Sequence, residues 1–425
     1  MKFGKICVLG LGYIGLPTAS TFAKSGIQVI GVDVNPHVVS SLQNGRVHIH
    51  EPGLNELVQD SFQSGKFIVK ENPEKADAFI IAVPTPFYDD KKADLRFVRS
   101  AAEAIVPFLE KGNLVVLEST SPPLTTRDVV GPILEKSGLK AGSDFYLAYT
   151  PERVLPGQII RELHENARVI GGITPESAEV GRDLYASFVK GQIILTDATT
   201  AEMVKLMENT YRDVNIAIAN EFSRLADRFK IDVWEAISIA NLHPRVKILN
   251  PGPGVGGHCI SVDPWFLVEA APDITPLIRN ARLVNDSQPH FVVSLVKKSL
   301  GGSLVGKKIA VLGLSYKANV DDMRESPAVE IARLLVEEKA EIVSYDPYYQ
   351  PIMGMQEINP TTDLDTALAK ADLVLLLVGH ESIVDINPVK LSAKTDAKLV
   401  VDAAHVWDQD SWGEAGFKII PLGSS

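Results

Sequence analysis

A cysteine in a glycine-rich loop is the residue of this 425-residue sequence best suited to covalent chemistry. Cys259 directly follows the run PGPGVGGH at 251–258, and Asp263 stands four residues further on. Glycine and proline allow such a loop to lie close to a ligand, and a helix starting at the cysteine would favour the reactive thiolate. The pattern therefore predicts Cys259 as a nucleophile, whereas Cys7, inside an apolar run, is expected to be inert.

A second chemical pattern lies near the start of the chain. Gly10-x-Gly12-x-x-Gly15 follows a strand pattern and opens a helix pattern, and Asp33 ends the next apolar run. In this arrangement the glycines make a tight turn, admit a pyrophosphate close to the backbone and let the helix pack on the strand. The phosphates then meet the free N–H groups of the helix N-terminus. Because Asp33 would accept hydrogen bonds from a ribose diol and repel an extra phosphate, the pattern predicts NAD and not NADP.

Together, an NAD site and a nucleophilic cysteine imply oxidation of an alcohol to a carboxylate. Loss of a first hydride gives an aldehyde, which can lose a second hydride only after a nucleophile has added to it. A thiolate would form a thiohemiacetal and then a thioester, which water hydrolyses to the acid. This route would consume two NAD for each alcohol.

Several cationic and polar side chains are placed to support this chemistry. Lys205, Asn209 and Arg212 stand at i, i+4 and i+7 of a helical pattern, so they share one face. A cation there could stabilise the charge that develops on an alkoxide. His243 and Arg245 precede the glycine-rich loop and could reach a phosphate or a sugar.

Two further candidates follow predicted strands. Thr120 comes after the apolar run at 114–117, and Glu152 comes after the run at 145–149. Open α/β sheets bind ligands at the carboxyl ends of their strands, so both residues are placed for the site. Glu152 is predicted to act as the general base for the hydrolytic water.

The elements that must position these residues repeat at domain scale. The run KICVLGLG at 5–12 returns as KIAVLGLS at 308–315, and in each copy a helix pattern and an apolar run ending in an acid follow. Short apolar strands alternating with helical periods are typical of parallel sheets covered on both faces. The sequence therefore predicts an α/β protein with two Rossmann-like, doubly wound parallel-sheet domains.

The second copy differs where a dinucleotide would bind. When the two strands are aligned, the three glycines of the first turn correspond to Gly313, Ser315 and Ala318. The first glycine is kept and the other two are replaced by residues with side chains. Lys317 lies in the same turn and Arg324 follows seven residues later. We therefore expect this half to have kept the fold but exchanged the dinucleotide for another phosphorylated ligand.

Between the halves the pattern becomes helical. Thr199-x-x-Glu202 matches a capping box, and one helix is predicted to run to about Phe229. Residues 1–195 are predicted as the NAD-binding domain, 196–300 as a central helical domain with the catalytic loop and a dimer surface, and 301–425 as the second Rossmann-like domain. The apolar positions of the long helix, predicted to form one buried stripe, are Met203, Met207, Thr210, Val214, Ala217, Ile218, Phe222 and Leu225.

Composition limits the partners. The chain is 45% hydrophobic and 22% charged, as in ordinary globular proteins, and its formal net charge is −11. An acidic surface argues against coating nucleic acid or an anionic membrane. Two cysteines suit a reducing cytoplasm, and no apolar run reaches the ~18 residues needed to span a bilayer. We expect a cytoplasmic protein without a bound metal.

The motifs, in their order and spacing, resemble the UDP-glucose/GDP-mannose 6-dehydrogenase family over essentially the whole chain. The matching segments are GLGYIG at 10–15, VPTP at 83–86, Glu118-Ser119-Thr120, TPERVLPG at 150–157, AEMVKLMENTYRDVN at 201–215, GPGVGGHC at 252–259 and GLSYKANVDDMRESP at 313–327.

This resemblance implies roles for individual residues and assigns UDP binding to residues 301–425. The implied catalytic residues are Cys259, Lys205, Asp263, Glu152, Thr120 and Asn209. The implied NAD contacts are Gly10, Gly12, Tyr13, Ile14, Gly15, Asp33, Thr85, Thr120 and Arg324. The implied substrate contacts are Arg153, Val154, Lys205, Asn209, Arg212, His243, Arg245, Gly256, Tyr316 and Lys317, with Arg245 reaching in from a partner subunit of a homodimer or higher homo-oligomer.

Within the family, the segments PERVLPG, HPRV and GHCISVDPWFL most resemble members that oxidise C6 of UDP-N-acetyl-D-mannosamine to the uronic acid for cell-surface polysaccharides. UDP-N-acetylglucosamine, which differs at one stereocentre, and then UDP-glucose stay open as substrates. UDP-glucose enzymes carry a second acid where this chain has Pro156 and an arginine near residues 402–405, which weakens that assignment. The alternative of another class is a non-catalytic NAD sensor.

Overall fold

The computed structural model describes residues 3–49, 51–155, 157–351 and 354–424. Pro156, at which the sequence departs from UDP-glucose enzymes, lies outside them. The chain forms two compact units, Met1–Glu208 with Trp265–Pro272 and Asn209–Pro264 with Asp273–Ser425. The three-domain division at 195 and 300 stays a prediction.

The first unit contains an eight-stranded sheet whose strands pair in the order β3-β2-β1-β4-β5-β6-β7-β8. Every pair is parallel except β6 with β7. The apolar runs are buried because helices cover both faces of such a sheet. Cys7 in β1 is fully buried, and burial raises the pKa of its thiol to about 12. The strands are β1 (Lys5–Leu9), β2 (Gln28–Val32), β3 (Phe67–Lys70), β4 (Ala78–Ile81), β5 (Leu114–Leu117), β6 (Tyr146–Tyr149), β7 (Arg168–Gly172) and β8 (Ile193–Asp197).

The second unit contains a six-stranded parallel sheet in the order β11-β10-β9-β12-β13-β14. Its centre repeats the arrangement of the first sheet, because β9 lies between β10 and β12 as β1 lies between β2 and β4. The predicted pair of doubly wound parallel-sheet α/β folds is confirmed. The strands are β9 (Lys308–Leu312), β10 (Glu341–Tyr345), β11 (Pro360–Thr361), β12 (Leu373–Leu376), β13 (Leu399–Asp402) and β14 (Lys418–Pro421).

Helices connect the strands and form the middle of the chain. A π-helix covers Thr125–Val130, and short 3₁₀ turns cover Val106–Phe108, Glu135–Ser137 and Gln356–Ile358. The α-helices are α1 (Gly15–Lys24), α2 (Pro36–Gln43), α3 (Leu54–Gln63), α4 (Arg96–Ile105), α5 (Gly131–Leu134), α6 (Ile159–Glu165), α7 (Pro175–Tyr185), α8 (Ala198–Phe229), α9 (Val233–Ala240), α10 (Asp263–Ala270), α11 (Pro276–Asp286), α12 (Gln288–Ser299), α13 (Pro327–Glu337), α14 (Leu364–Leu368), α15 (Glu381–Val384), α16 (Pro388–Ser392) and α17 (Gln409–Glu414).

The long helix α8 ends where the sequence predicts, but most of the predicted stripe is not buried within the single chain. Of its eight members, Thr210 and Ala217 are buried, whereas the side chains of Met207, Ile218, Phe222 and Leu225 are exposed. The residues that are buried instead are largely polar or small, namely Lys205, Asn209, Asp213, Asn220 and Ser223. Such a face can be buried because its polar groups find partners: the Asn220 amide donates to Asn285 at 2.9 Å, and Asp213 pairs with Arg282.

The predicted capping box is also wrong. Asp197, the last residue of β8, holds the first turn of α8, because its carboxylate accepts the backbone N–H of Thr200 at 2.9 Å. Glu202 is fully buried, and its carboxylate accepts the backbone N–H groups of Leu124 and Thr126 at 2.6 and 2.8 Å. The acid at the end of the motif, Glu202, therefore holds the start of the π-helix, and Asp197 caps α8 instead.

Candidate active site

The glycine turn after β1 has space for a ligand at one position only. Gly10 has φ +94°, and a Cβ there would lie 2.4 Å from the carbonyl oxygen of Ala82. A Cβ on Gly15 would lie 1.8 Å from the carbonyl oxygen of Gly10. These two glycines are required by the packing of the protein itself. Gly12 differs, because a Cβ there would meet nothing within 4 Å; the open space beside its backbone suits a pyrophosphate at the N-terminus of α1.

Asp33 is held directly beneath this turn. One carboxylate oxygen accepts the backbone N–H of Leu11 at 2.9 Å and the other accepts the N–H of Asn35 at 2.9 Å. The side chain is half-buried, so it keeps lone pairs for a ribose diol. The turn residues Tyr13, exposed, and Ile14, half-buried, complete this segment.

The carboxyl ends of β4 and β5 meet beside it. Thr85 and Thr120, both half-buried, follow these two strands, which pair in register next to β1. Ser119 joins the two loops, since its hydroxyl accepts the N–H of Val83 at 2.9 Å and donates to the carbonyl of Val83 at 2.7 Å. Sequence reasoning missed Ser119. Together with the glycine turn, these residues fit NAD.

Glu152 lies in a buried charge cluster. Its Oε2 accepts from Arg168 Nη2 at 2.7 Å, and its Oε1 accepts the backbone N–H of Arg153 at 2.7 Å. Arg168 also contacts Glu118, with Nη1 and Oε1 separated by 3.3 Å. Burial, joined by the neighbouring charge of Glu152, raises the pKa of Glu118 to about 7 although Arg168 acts against it. Sequence reasoning missed Arg168 and the role of Glu118. A single arginine inside an apolar strand pattern was the signal that could have indicated a buried ion pair.

The predicted substrate contact Arg153 is engaged within the protein. Its guanidinium forms two bonds to the carboxylate of Glu208, at 3.0 and 2.7 Å, and a third to the carbonyl of Ala167 at 3.2 Å. Val154 beside it is half-buried. A substrate anion would therefore compete with Glu208 for this arginine.

Helix α8 presents the predicted lysine and asparagine on its buried face. Lys205 is 8% exposed and Asn209 is 7% exposed, whereas Arg212 is exposed. A buried ammonium is costly unless an anion accompanies it, which suits a lysine that meets an alkoxide in a substrate. The Asn209 amide donates to the carboxylate of Asp263 at 2.6 Å, and Asp263 is fully buried. These two implied catalytic residues are brought into direct contact.

Cys259 is exposed but does not begin a helix. Helix α10 starts at Asp263, four residues later than the position that would place the thiol at its N-terminus. The carbonyl of Cys259 accepts the N–H groups of Val262 and Asp263 at 3.1 and 2.8 Å. The cysteine thus lies in a turn that leads into the helix, and the expectation of a helix beginning at the cysteine is wrong.

The glycines before Cys259 allow the loop to lie against the segment that follows β9. A Cβ on Gly256 would lie 2.3 Å from the carbonyl oxygen of Glu325, and one on Gly257 would lie 2.7 Å from the ring of Tyr316. The Gly257 N–H donates to the same Glu325 carbonyl at 3.3 Å. The implied substrate contacts Gly256 and Tyr316 are therefore neighbours, with half-buried Lys317 next to Tyr316.

Asp322 joins the two segments electrostatically. It lies 3.3 Å from His258 Nε2, and both its oxygens accept from Arg324, at 2.9 and 2.8 Å. Burial opposes ionisation, but the hydrogen bonds from Arg324 and His258 hold the pKa of Asp322 well below its usual range. His243 and Arg245 are exposed, and His243 Nδ1 accepts the backbone N–H of Arg245 at 3.3 Å.

The predicted site residues thus fall into two sets. The first unit holds the glycine turn and the residues at the carboxyl edge of its sheet: Gly10, Gly12, Tyr13, Ile14, Gly15, Asp33, Thr85, Thr120, Glu152, Arg153, Val154 and Lys205. The second unit holds the cysteine loop and its neighbours: Asn209, Arg212, His243, Arg245, Gly256, Cys259, Asp263, Tyr316, Lys317 and Arg324.

Comparison with known proteins identifies the family. Residues 4–189 match the NAD binding domain of the UDP-glucose/GDP-mannose dehydrogenase family, residues 199–287 match its central domain and residues 310–409 its UDP binding domain. The chain belongs to this family, as its motifs predict. It is an NAD-dependent UDP-sugar dehydrogenase.

Relatives with assigned names resemble the whole chain. The UDP-N-acetyl-D-mannosamine dehydrogenase of Methanocaldococcus jannaschii is 48% identical over 425 residues, covering 99% of this chain and 96% of that protein. The NDP-N-acetyl-D-galactosaminuronic acid dehydrogenase of Ralstonia solanacearum is 47% identical over 415 residues, covering 96% and 97%. The solved structure of the UDP-D-ManNAc dehydrogenase from Pyrococcus horikoshii has a TM-score of 0.92 and 40% identity, covering 99% of both chains.

Across the residues that the structure describes, no helix combines the length and the apolar character needed to cross a membrane.

Proposed function

We propose that this protein oxidises the C6 hydroxymethyl group of UDP-N-acetyl-D-mannosamine to the carboxylate through a thioester on Cys259. The observation that carries the cysteine route is the exposed Cys259 in a loop whose glycines admit close approach, one turn before the buried Asp263–Asn209 pair. The overall reaction converts one alcohol, one water and two NAD⁺ into one carboxylate, two NADH and three protons. NAD supplies the acceptor for each of the two hydrides.

The chain's own residues divide the remaining work. As the first hydride leaves C6, the hydroxyl proton passes to water and Lys205 stabilises the alkoxide charge that develops. The Cys259 thiolate then adds to the aldehyde carbon, forming a C–S bond, and loss of the second hydride leaves the thioester. Water attacks the thioester carbon while Glu152 takes its proton, and the C–S bond breaks to release the thiolate. Asn209 fixes the Asp263 carboxylate beside the loop, and Thr120 lines the site.

The identity of the sugar is supported by the relatives. Both the M. jannaschii protein and the P. horikoshii structure bear names specifying N-acetylmannosamine. The Ralstonia relative gives a specific reason to test an N-acetylgalactosamine nucleotide as a second candidate. UDP-N-acetylglucosamine and UDP-glucose complete the panel.

The test combines this panel with removal of the thiol. For the wild type we expect two NADH per molecule of UDP-N-acetyl-D-mannosamine, measured by NADH absorbance. For Cys259→Ala we expect no uronic acid, although the variant should still bind NAD in a calorimetric titration. Cys7→Ala is the matched control, because that cysteine is buried in β1, and it should keep its activity. Full activity of Cys259→Ala would remove the thioester route; absence of NADH with every sugar nucleotide would favour an NAD sensor.

We further propose that the enzyme works in the cytoplasm as a homodimer or higher homo-oligomer, without a nucleic-acid or membrane partner. The net charge of −11 supports the last point. Support for self-association comes from the second unit, where α8 exposes large apolar side chains, which soluble monomers seldom gather on one face. These are Tyr211, Ile218, Phe222, Leu225 and Phe229. Sedimentation velocity of the wild type against Phe222→Lys would test this surface.

A further inference from the structure

One arginine serves two buried carboxylates in the first unit. Arg168 enters from β7 and is 5% exposed, while Glu118 follows β5 and Glu152 follows β6. The guanidinium nitrogens lie 2.7 Å from Glu152 and 3.3 Å from Glu118. Two carboxylates and one cation leave a net negative charge away from water if all three groups are ionised, which is unfavourable.

The surroundings of Glu118 suit a carboxyl that gains and loses a proton. Its Oε1 accepts from the Tyr185 hydroxyl at 2.6 Å. Its Oε2 is buried and has no hydrogen-bond partner among the residues that the structure describes. A buried oxygen without a partner is costly for a carboxylate and less so for a neutral acid. Arg168 also lies over the Tyr185 ring, 4.6 Å from its centre.

We propose that Glu118 and Arg168 are positioning residues for Glu152: Arg168 holds the Glu152 carboxylate in place, and the protonation state of Glu118 sets how much of the guanidinium charge Glu152 feels. This inference rests on the proposed function, since it assumes that Glu152 activates the hydrolytic water. When Glu118 is neutral, the whole charge of Arg168 falls on Glu152 and weakens it as a base. When Glu118 is ionised, the charge is shared and Glu152 becomes the stronger base.

The electrostatics place this change in the neutral range. The charged or titratable groups facing Glu118 are Arg168, Glu152 and Tyr185. Burial raises the pKa of Tyr185 well above its ordinary value, so the phenol stays neutral. With the pKa of Glu118 at about 7, its ionised fraction rises about tenfold between pH 6 and pH 8.

The test measures hydrolysis of the thioester apart from the hydride steps. Enzyme and limiting sugar nucleotide are mixed in a single turnover, quenched at intervals and analysed by intact-protein mass spectrometry for the acyl-enzyme. In the wild type we expect the hydrolysis rate to rise about tenfold from pH 6 to pH 8. In Glu118→Gln the rate should be flat over this range and below the wild-type value at pH 6, because the ionised form of Glu118 is absent.

Two further variants separate this role from a general loss of structure. Tyr185→Phe removes a hydrogen bond that lowers the pKa of Glu118. The rise of the hydrolysis rate with pH should therefore shift to higher pH, with the same ratio between its upper and lower limits. Glu103→Gln, an exposed glutamate paired with Lys136 at 3.2 Å, is the matched control and should keep the wild-type profile. Unequal changes of this kind would not follow from simple destabilisation.

The outcomes distinguish the two proposals. A wild type that makes acid with the same pH profile as Glu118→Gln overturns this inference and leaves the proposed function standing. A wild type that makes no acid from any sugar nucleotide overturns the proposed function and the inference with it. If Glu118→Gln fails to fold, a Tyr185→Phe profile identical to the wild type is the result that contradicts the inference.

Discussion

The turn after β1 and the turn after β9 have almost the same backbone. Gly10 has φ +94° and Gly313 has φ +89°. The Gly10 N–H donates to the end of β2 and the Gly313 N–H to the end of β10, both at 2.8 Å. In each turn the next N–H donates to an aspartate at the end of the neighbouring strand, Asp33 at 2.9 Å and Asp346 at 2.8 Å.

The two turns differ in what fills them. Where Gly12 leaves open space, Ser315 is fully buried, and its N–H donates to Asp346 at 3.1 Å. His380, also fully buried, accepts the Asn319 N–H at Nδ1 (2.9 Å), so Nε2 carries the proton and donates to Asp346 at 3.0 Å. The protein's own side chains therefore occupy the second turn. The same fold therefore leaves free space in one turn and fills it in the other, and we propose that the free space at Gly12 is what admits the dinucleotide.

The largest effect is expected from filling that space. Gly12→Val should weaken NAD binding by about 100-fold or more, equal to about 2.7 kcal/mol, because the side chain stands where the pyrophosphate approaches the backbone. The fold should be unaffected, since nothing lies within 4 Å of the new Cβ. Isothermal titration calorimetry measures the affinity and calorimetric unfolding the stability.

The matched control is Gly413→Val in α17, another glycine whose Cβ would meet nothing within 4 Å. It should bind NAD as the wild type does. Unchanged NAD affinity in Gly12→Val would contradict the comparison, because the open space would then have no connection with the cofactor.

A smaller effect, on stability, is expected at the third glycine of the same turn. Gly15→Ala places a Cβ 1.8 Å from the Gly10 carbonyl oxygen, so the start of α1 must move away from β1. Overpacking of this kind costs about 2 kcal/mol, and the unfolding temperature of the first unit should fall. Hydrogen exchange resolved by peptide would locate the loss in residues 5–24. A variant as stable as the wild type would show that this glycine, like Gly12, serves only the ligand.

Much of this comparison could be predicted from the sequence. The apolar runs at 5–9 and 308–312 predict both central strands. The absence of glycine at 315 and 318 predicts that the second turn binds a ligand other than a dinucleotide, and this stays a prediction. Strands buried on both faces leave a continuous apolar signal, and a glycine turn is a local pattern. Such signals need no knowledge of distant contacts.

The features that the sequence did not predict depend on contacts between residues far apart in the chain. Apolar spacing identified α8 as a helix but not the face that packs, because its buried Asp213 finds its cation 69 residues away at Arg282. The Arg168 cluster escaped for the same reason, since its members come from three separate segments. Asn209 and Asp263 were expected to act together only through the family resemblance, and the structure shows the hydrogen bond between them.

The smallest effect is expected in the second turn, from Asp346→Asn. Burial would raise the pKa of Asp346, but the hydrogen bond from His380 Nε2 and the hydrogen bonds from backbone N–H groups together hold that pKa below its ordinary value. A carboxyl whose pKa is lower in the folded state stabilises the fold above its unfolded pKa, about 3.9, and loses that contribution as the pH falls through the folded value. Protonation of Asp346 should therefore make the wild-type second unit less stable below about pH 4. Asp346→Asn should be about 1 kcal/mol less stable at pH 7 and show less of this acid dependence. Peptide-resolved hydrogen exchange over residues 308–346 would measure both quantities. Equal acid dependence in the two proteins would mean that Asp346 does not hold this turn closed, and the contrast with the open turn at Gly12 would need another cause.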